Sequence, residues 1–186
     1  QIIDPDIHEL VAGGPEGRRR YIDWIAFHVE PEYLDQWRRF RRTLRQRNAA
    51  IRAGGSAAVL GGWDREFVNL AEHVDSIRSS MVDVLNLAVE ELGEMLLGST
   101  VTLEYQRGWP GNRDLAESLK ATAERDIELG STQMGPHRGD LGIIFDERRA
   151  RKFVSRGQQK LLACCLVIAA TEMVQTHLEK PLLVLV

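Results

Sequence analysis

The sequence is short of lysine, cysteine and long apolar runs, and each shortage excludes something. Of its 24 basic residues only four are lysine: Lys120, Lys152, Lys160 and Lys180. None of them follows a glycine, so the phosphate-cradling loop G-x-x-x-x-G-K-[ST] is missing from this stretch. The two cysteines, Cys164 and Cys165, are adjacent and sit in an apolar segment, which rules out a disulfide framework and suits a reducing compartment. A buried Cys there serves as a small hydrophobe. The five histidines and two cysteines show no metal-ligand spacing, so no metal site is expected. There is no G-x-S-x-G elbow and no sign of a Ser-His-Asp set, so no catalytic residue is assigned. No run reaches the roughly 20 apolar residues of a membrane span, and no basic leader opens the chain. A cytoplasmic protein without membrane contact is the expectation. The chain begins without Met and stops within an apolar stretch, as expected of a piece cut from a longer protein.

What is present is ordinary for a soluble globular protein: 186 residues, 44% hydrophobic, 27% charged, net charge −3. The molecule as a whole is therefore no polycation. The preference for arginine over lysine favours bidentate contacts to phosphate or carboxylate, or else reflects a GC-rich genome.

Periodicity divides the chain into elements. Pro15 and Glu16 suit a first helical turn, and a helix should run to about residue 29. A second helix is expected from about 30 to 53, with Tyr33, Trp37, Phe40, Leu44 and Ile51 in one stripe. Arg38, Arg41, Arg45 and Arg52 flank that stripe. They make either a solvated face matched to the helix dipole or a face that tracks phosphates. The glycines at 54–55 and 61–62 mark a turn region. A long helix from about 63 to 97 follows, stepping through Phe67, Leu70, Val74, Ile77, Met81, Val84, Ala88, Leu92 and Met95. That spacing is the pattern of a helical arm packed on a partner, most economically the preceding helix folded back antiparallel. Residues 101–106 alternate as a strand with Val101, Leu103 and Tyr105 inward. A helix over about 114–129 and a hairpin pairing 141–146 with 149–154 come next. A buried strand is expected at 182–186.

The most informative stretch is Val154-Ser155-Arg156-Gly157-Gln158-Gln159-Lys160. Ser155 is a good helix N-cap, and Gly157 lets a ligand approach the backbone closely. Free N–H groups at such a helix start favour an anion, most often phosphate. The helix after it is apolar on almost every face from Leu161 to Ala170, which predicts a buried helix. This motif resembles the ABC-type signature in the form used by the RecF family of bacterial recombinational repair ATPases. GPHRGDL at 135–141 and GGPEGRRRYIDW at 13–24 are similar to two further hallmarks of that family, in its order and at about its spacing.

The resemblance implies an α+β fold: a helical arm of antiparallel long helices (residues 1–97, similar to RecF domain II) joined to part of an ABC-type ATPase α/β lobe (98–186). It implies an ATP-dependent DNA-binding clamp acting in DNA replication, recombination, repair and the SOS response. Such a clamp forms a homodimer on ATP with Mg2+, binds double-stranded and gapped DNA, and works with RecO- and RecR-type mediators to load RecA. By motif, Ser155, Arg156, Gly157 and Gln158 would meet ATP held by the opposite subunit. The phosphate loop would lie upstream and the Mg2+-associated acidic pair just after Val186, leaving this stretch neither catalytic nor a tight ATP binder on its own. Gly139 departs from the acidic residue usual at that position in the family. His137 and Arg138 read as turn and hydrogen-bonding residues in preference to ligand contacts. The competing readings are a free-standing helical DNA-binding or protein-interaction module and another SMC-like ATPase.

Overall fold

The structure is a computed structural model and describes residues 6–55 and 57–178. The strand expected at 182–186 lies outside the described residues. The elements in order are α1 (Glu9–Ala12), α2 (Pro15–Val29), α3 (Tyr33–Arg52), α4 (Ala57–Leu97), β1 (Val101–Gln106), α5 (Leu115–Leu129), a 3-10 turn (Pro136–Arg138), β2 (Asp140–Phe145), β3 (Arg148–Arg149), α6 (Ala150–Phe153) and α7 (Arg156–Leu178). The strands form one small sheet in the order β1-β2-β3. This is the mostly helical α+β architecture expected, with long helices and one small three-stranded sheet. The chain folds as two compact units, each assembled from separated stretches. The division expected between residues 97 and 98 falls inside the first of them.

The first unit contains residues up to Pro31, Arg78–Tyr105 and the chain from Asp140 onward. Its core is α7 packed on α2. Tyr21 is buried and its hydroxyl donates to the carbonyl of Leu166 at 2.6 Å. Burial holds the Tyr21 phenol well above its ordinary value of 10.0. By length and composition α7 could cross a membrane, but half of its apolar window is buried within the chain, as in a core helix. It is not buried all round as expected: Leu161 is 43% exposed, while Leu162, Ala163, Leu166, Ala169 and Ala170 face inward. Asn86 on α4 ties β1 in place like a neighbouring strand. Its amide nitrogen donates to Leu103 O at 3.0 Å and its oxygen accepts from Leu103 N at 2.6 Å.

The hairpin is shorter than expected. Phe145 pairs with Arg148 and Ile144 with Arg149, antiparallel, around a two-residue turn at Asp146 and Glu147. Both turn residues have positive φ, 46° and 64°, the handedness that two-residue hairpins require. Asp146 is held there from both sides: its N–H donates to Thr100 O at 3.0 Å, and its carboxylate accepts from Thr100 N at 3.2 Å. β3 then stops after two residues, because residues 150–153 coil into α6 around the buried Ala150.

The second unit contains Glu32–Ile77 and Gln106–Gly139. Here α3 and the first part of α4 lie antiparallel: Arg39 meets Glu66, while Arg47, two turns further on, meets Asp64. Phe40 and Phe67 pack with ring centroids 5.5 Å apart. α4 begins at Ala57 and runs straight through Gly61 and Gly62, which were expected to form a turn. Its inward stripe follows expectation through Phe67, Leu70 and Val74. Beyond that Met81 is buried as expected, but so are Arg78, Val82, Leu85 and Val89, while Val84 is 51% and Met95 69% exposed. Arg78 explains the change. Its guanidinium turns inward to grip Asp23 with bonds of 2.8 and 3.0 Å, so a charged residue holds the place a hydrophobic pattern gives to Ile77.

Candidate functional site

The signature residues form one turn at the start of α7. Val154 is extended (φ −88°, ψ 145°) and α7 begins at Arg156, which makes Ser155 the residue before the first turn. Its side chain and that of Gln158 cap each other. Gln158 N donates to Ser155 Oγ at 3.3 Å, and Ser155 N donates to Gln158 Oε1 at 2.9 Å. This reciprocal pair is a capping box, with Gln in place of the commoner Glu.

Capping leaves a set of donors pointing outward. Ser155 Oγ accepts one bond and keeps its own O–H to give. Arg156 and Gly157 stand at the first two helical positions, where backbone N–H groups have no partner within the helix. Gln158 retains its amide N–H groups, and Arg156 is exposed. Every group here donates and none is a carboxylate, so the chemistry fits an anion such as a phosphate oxygen.

Gly157 sharpens the point. A Cβ built there would meet nothing nearer than Ser155 Oγ at 4.0 Å, so the fold of this chain does not require glycine at 157. Glycine inside a helix costs about 0.5–1 kcal/mol relative to alanine. What its bareness provides is room for something outside the chain to approach the backbone.

The remaining motifs do structural work. Arg18, from the stretch at 13–24, is 4% exposed. It grips Asp140, from the stretch at 135–141, with bonds of 2.8 and 3.0 Å, and its third nitrogen donates to Gly13 O at 2.8 Å. Two stretches far apart in sequence are thus joined by one part-buried ion pair. Its neighbour Arg19 has its pKa lowered, mainly by burial and then by the positive charge of Arg78. His137 Nε2 bonds with Thr132 O at 2.9 Å, and its ring lies against Phe40 and Phe67. Arg138 donates to Gln133 Oε1 at 3.1 Å. Gly139 is packed so that a side chain would meet Gln106 O at 2.7 Å, which accounts for glycine at this position.

Arg38, Arg41 and Arg45 share one exposed face of α3. Arg38 lies 3.7 Å from Asp35, and Arg41 sits over the Trp37 ring at 5.2 Å. Arg47, on the opposite side, is the arginine that pattern reading passed over. It is 1% exposed and reaches Asp64, Asp126 and Thr132. Its position between Leu44 and Ile51 on the inward stripe was the available signal. Cys165 is a core residue, 0% exposed, and burial, followed by the effect of Cys164, raises the pKa of its thiol. Among the described residues no group of three or more His, Cys, Asp or Glu side chains could hold a metal ion.

No protein-family model matches the chain. It is 43% identical over 171 residues to the DNA replication and repair protein RecF of Pseudomonas aeruginosa (strain LESB58), covering 91% of this chain and 46% of that protein. It is 40% identical over 181 residues to the protein of the same name from Shewanella baltica (strain OS223), covering 97% of this chain and 50% of that one. The chain thus spans about half the length of the curated relatives it matches. A solved structure of the recombination mediator protein RecF with ATP superposes with a TM-score of 0.92 at 20% identity, covering 98% of this chain and 52% of the other. At that identity the likeness shows the fold.

Proposed function

We propose, from the premise that this chain is related to RecF over 91% of its length, that it supplies the signature side of an ATP-dependent clamp. The coarse function is recombinational DNA repair. The finer reading is that the donors of Ser155, Arg156, Gly157 and Gln158 meet the terminal phosphate of an ATP held, with Mg2+, by a second copy of the full-length protein. Two such copies would be related by a two-fold axis, each giving a signature and receiving one.

The observation that supports this reading is the bare, fold-neutral Gly157 beside a turn made wholly of donors. The bound nucleotide would supply the negative charge that these donors neutralise. The chain's own part is to hold them in place, with the capping box fixing the turn and Tyr21 anchoring α7 beneath it. Closure follows because the donors gain their partner only in the assembled state, so ATP favours that state by its differential affinity. In the same reading the Arg38/Arg41/Arg45 face contributes to holding double-stranded or gapped DNA. RecO- and RecR-type mediators and the loading of RecA in the bacterial cytoplasm complete it.

The test is Gly157→Ala in the full-length protein that carries this chain. The variant should melt higher, by the equivalent of about 0.5–1 kcal/mol, and lose ATP-dependent self-association. Stabilisation with ATP-driven association unchanged would mean that nothing approaches the backbone at 157.

A further inference from the structure

Beside the signature turn, within the same unit, lies a second feature that the nucleotide reading leaves unused. It is a pocket of about 260 Å³. Its lining includes Arg18, Asp140, Gly142, Arg149, Arg151 and Lys152. The Arg18–Asp140 pair forms a neutral, part-buried floor whose hydrogen bonds run to each other, to Gly13 O and from Leu141 N. The charge comes from the other cations. Arg149 reaches Glu104 at 3.0 Å and lies flat along β2, where a Cβ at Gly142 would meet its Cζ at 3.0 Å and its Nη1 closer still. The missing side chain at 142 is what admits that guanidinium to the wall. Arg151 and Lys152 are exposed on α6 and have no acidic partner among the described residues.

The pocket is the centre of a longer strip. Apart from Arg156 of the signature turn, the sequence from Arg148 to Lys160 carries five cations, Arg148, Arg149, Arg151, Lys152 and Lys160, and no acid, in a chain whose net charge is −3. All five are exposed. Phe153, 60% exposed, stands among them with the Arg148 guanidinium 5.0 Å from its ring centre. A row of cations interleaved with an exposed aromatic ring is the combination that grips a nucleic-acid strand, phosphates on the cations and a base or sugar against the ring. An acidic peptide would use the charge but not the ring.

We infer that this strip is a nucleic-acid backbone site, with one phosphate seated in the pocket between Arg149, Arg151 and Lys152. The inference rests on the DNA-binding reading above but places the contact on β3 and α6, apart from the arginine face of α3.

The experiment uses the 186-residue chain and a fluorescein-labelled 30-base-pair duplex of mixed sequence, with binding followed by anisotropy over a salt series. Arg151→Ala/Lys152→Ala removes two exposed side chains, and circular dichroism confirms that the variant is folded. Each lost phosphate contact should reduce the slope of log affinity against log salt by about 0.9, so the double variant, which strips two of the three cations from the one seated phosphate, should lose about 0.9. Poly-glutamate at matched charge should compete more weakly than unlabelled duplex. An unchanged slope in this variant, with a reduced slope in Arg38→Ala/Arg41→Ala/Arg45→Ala, would overturn the inference and leave the DNA reading standing. Equal competition by poly-glutamate, or displacement of the duplex by micromolar ATP, would also overturn it by showing a different anion in the pocket. Absence of salt-dependent duplex binding by the unaltered chain would overturn the inference and the DNA reading together.

Discussion

Arg47 is enclosed by oxygens: Asp64 at 2.9 Å, Asp126 at 2.7 Å and Thr132 at 2.8 Å, with the Phe67 ring centre 5.8 Å from its guanidinium carbon. Asp126 is 0% exposed and also accepts from Gln133 N, so removing the arginine would strand a buried carboxylate. Arg47→Met should destabilise the chain by about 3–5 kcal/mol, read from the urea midpoint. A loss under 1 kcal/mol would mean the cluster is hydrated and loosely held. Tyr21 offers a second test, through pH. Burial raises its folded-state pKa above 10.0, so its contribution is fully present below pH 10 and is lost as pH rises beyond that value. The chain should therefore weaken above pH 10, and Tyr21→Phe should weaken less over the same range. The same alkaline loss in the variant would assign it to other groups. Ser155 was legible in the sequence because a capping residue announces itself by type and position. Arg18, Arg47 and Arg78 were not, because charge scores as surface in any hydrophobic pattern while their partners, Asp140, Asp126 and Asp23, lie 55 to 122 residues away.

Among the elements, those with a local signal were readable. α2 and α3 appear at Pro15–Val29 and Tyr33–Arg52, and α5 starts where Asp114 caps it by accepting from Glu117 N. β1 alternates as its sequence does, with Val101 and Leu103 buried. The misreadings have a common origin in tertiary context. Gly61 and Gly62 read as a break, yet the α4 backbone passes through them, and a Cβ at either would meet nothing within 4 Å. Gly61→Ala and Gly62→Ala should each stabilise the chain by about 0.5–1 kcal/mol in thermal melts. Destabilisation by either would mark that glycine as a needed flexible point. The expected second hairpin strand failed because Asp146 and Glu147 close the turn at once and Ala150 is drawn into the core. Neither pull is visible in the local alternation of residues 149–154.

For the whole molecule, the central claim is that this chain carries one half of a shared site. The signature turn offers donors and a bare backbone, but the chain has no phosphate-cradling loop of its own. In the proposed reading the loop belongs to the full-length protein, and the two halves meet between two copies of it. The most direct measurement is sedimentation velocity, with and without ATP, of the full-length protein carrying Ser155→Arg. Ser155 is exposed, so the larger side chain can be accommodated in the separate subunit while filling the space a partner's nucleotide must enter. The account predicts unchanged ATP binding by each subunit and no ATP-induced dimer, with Ser155→Ala showing a smaller loss because the backbone N–H groups remain. A Ser155→Arg protein that still dimerises on adding ATP would contradict it.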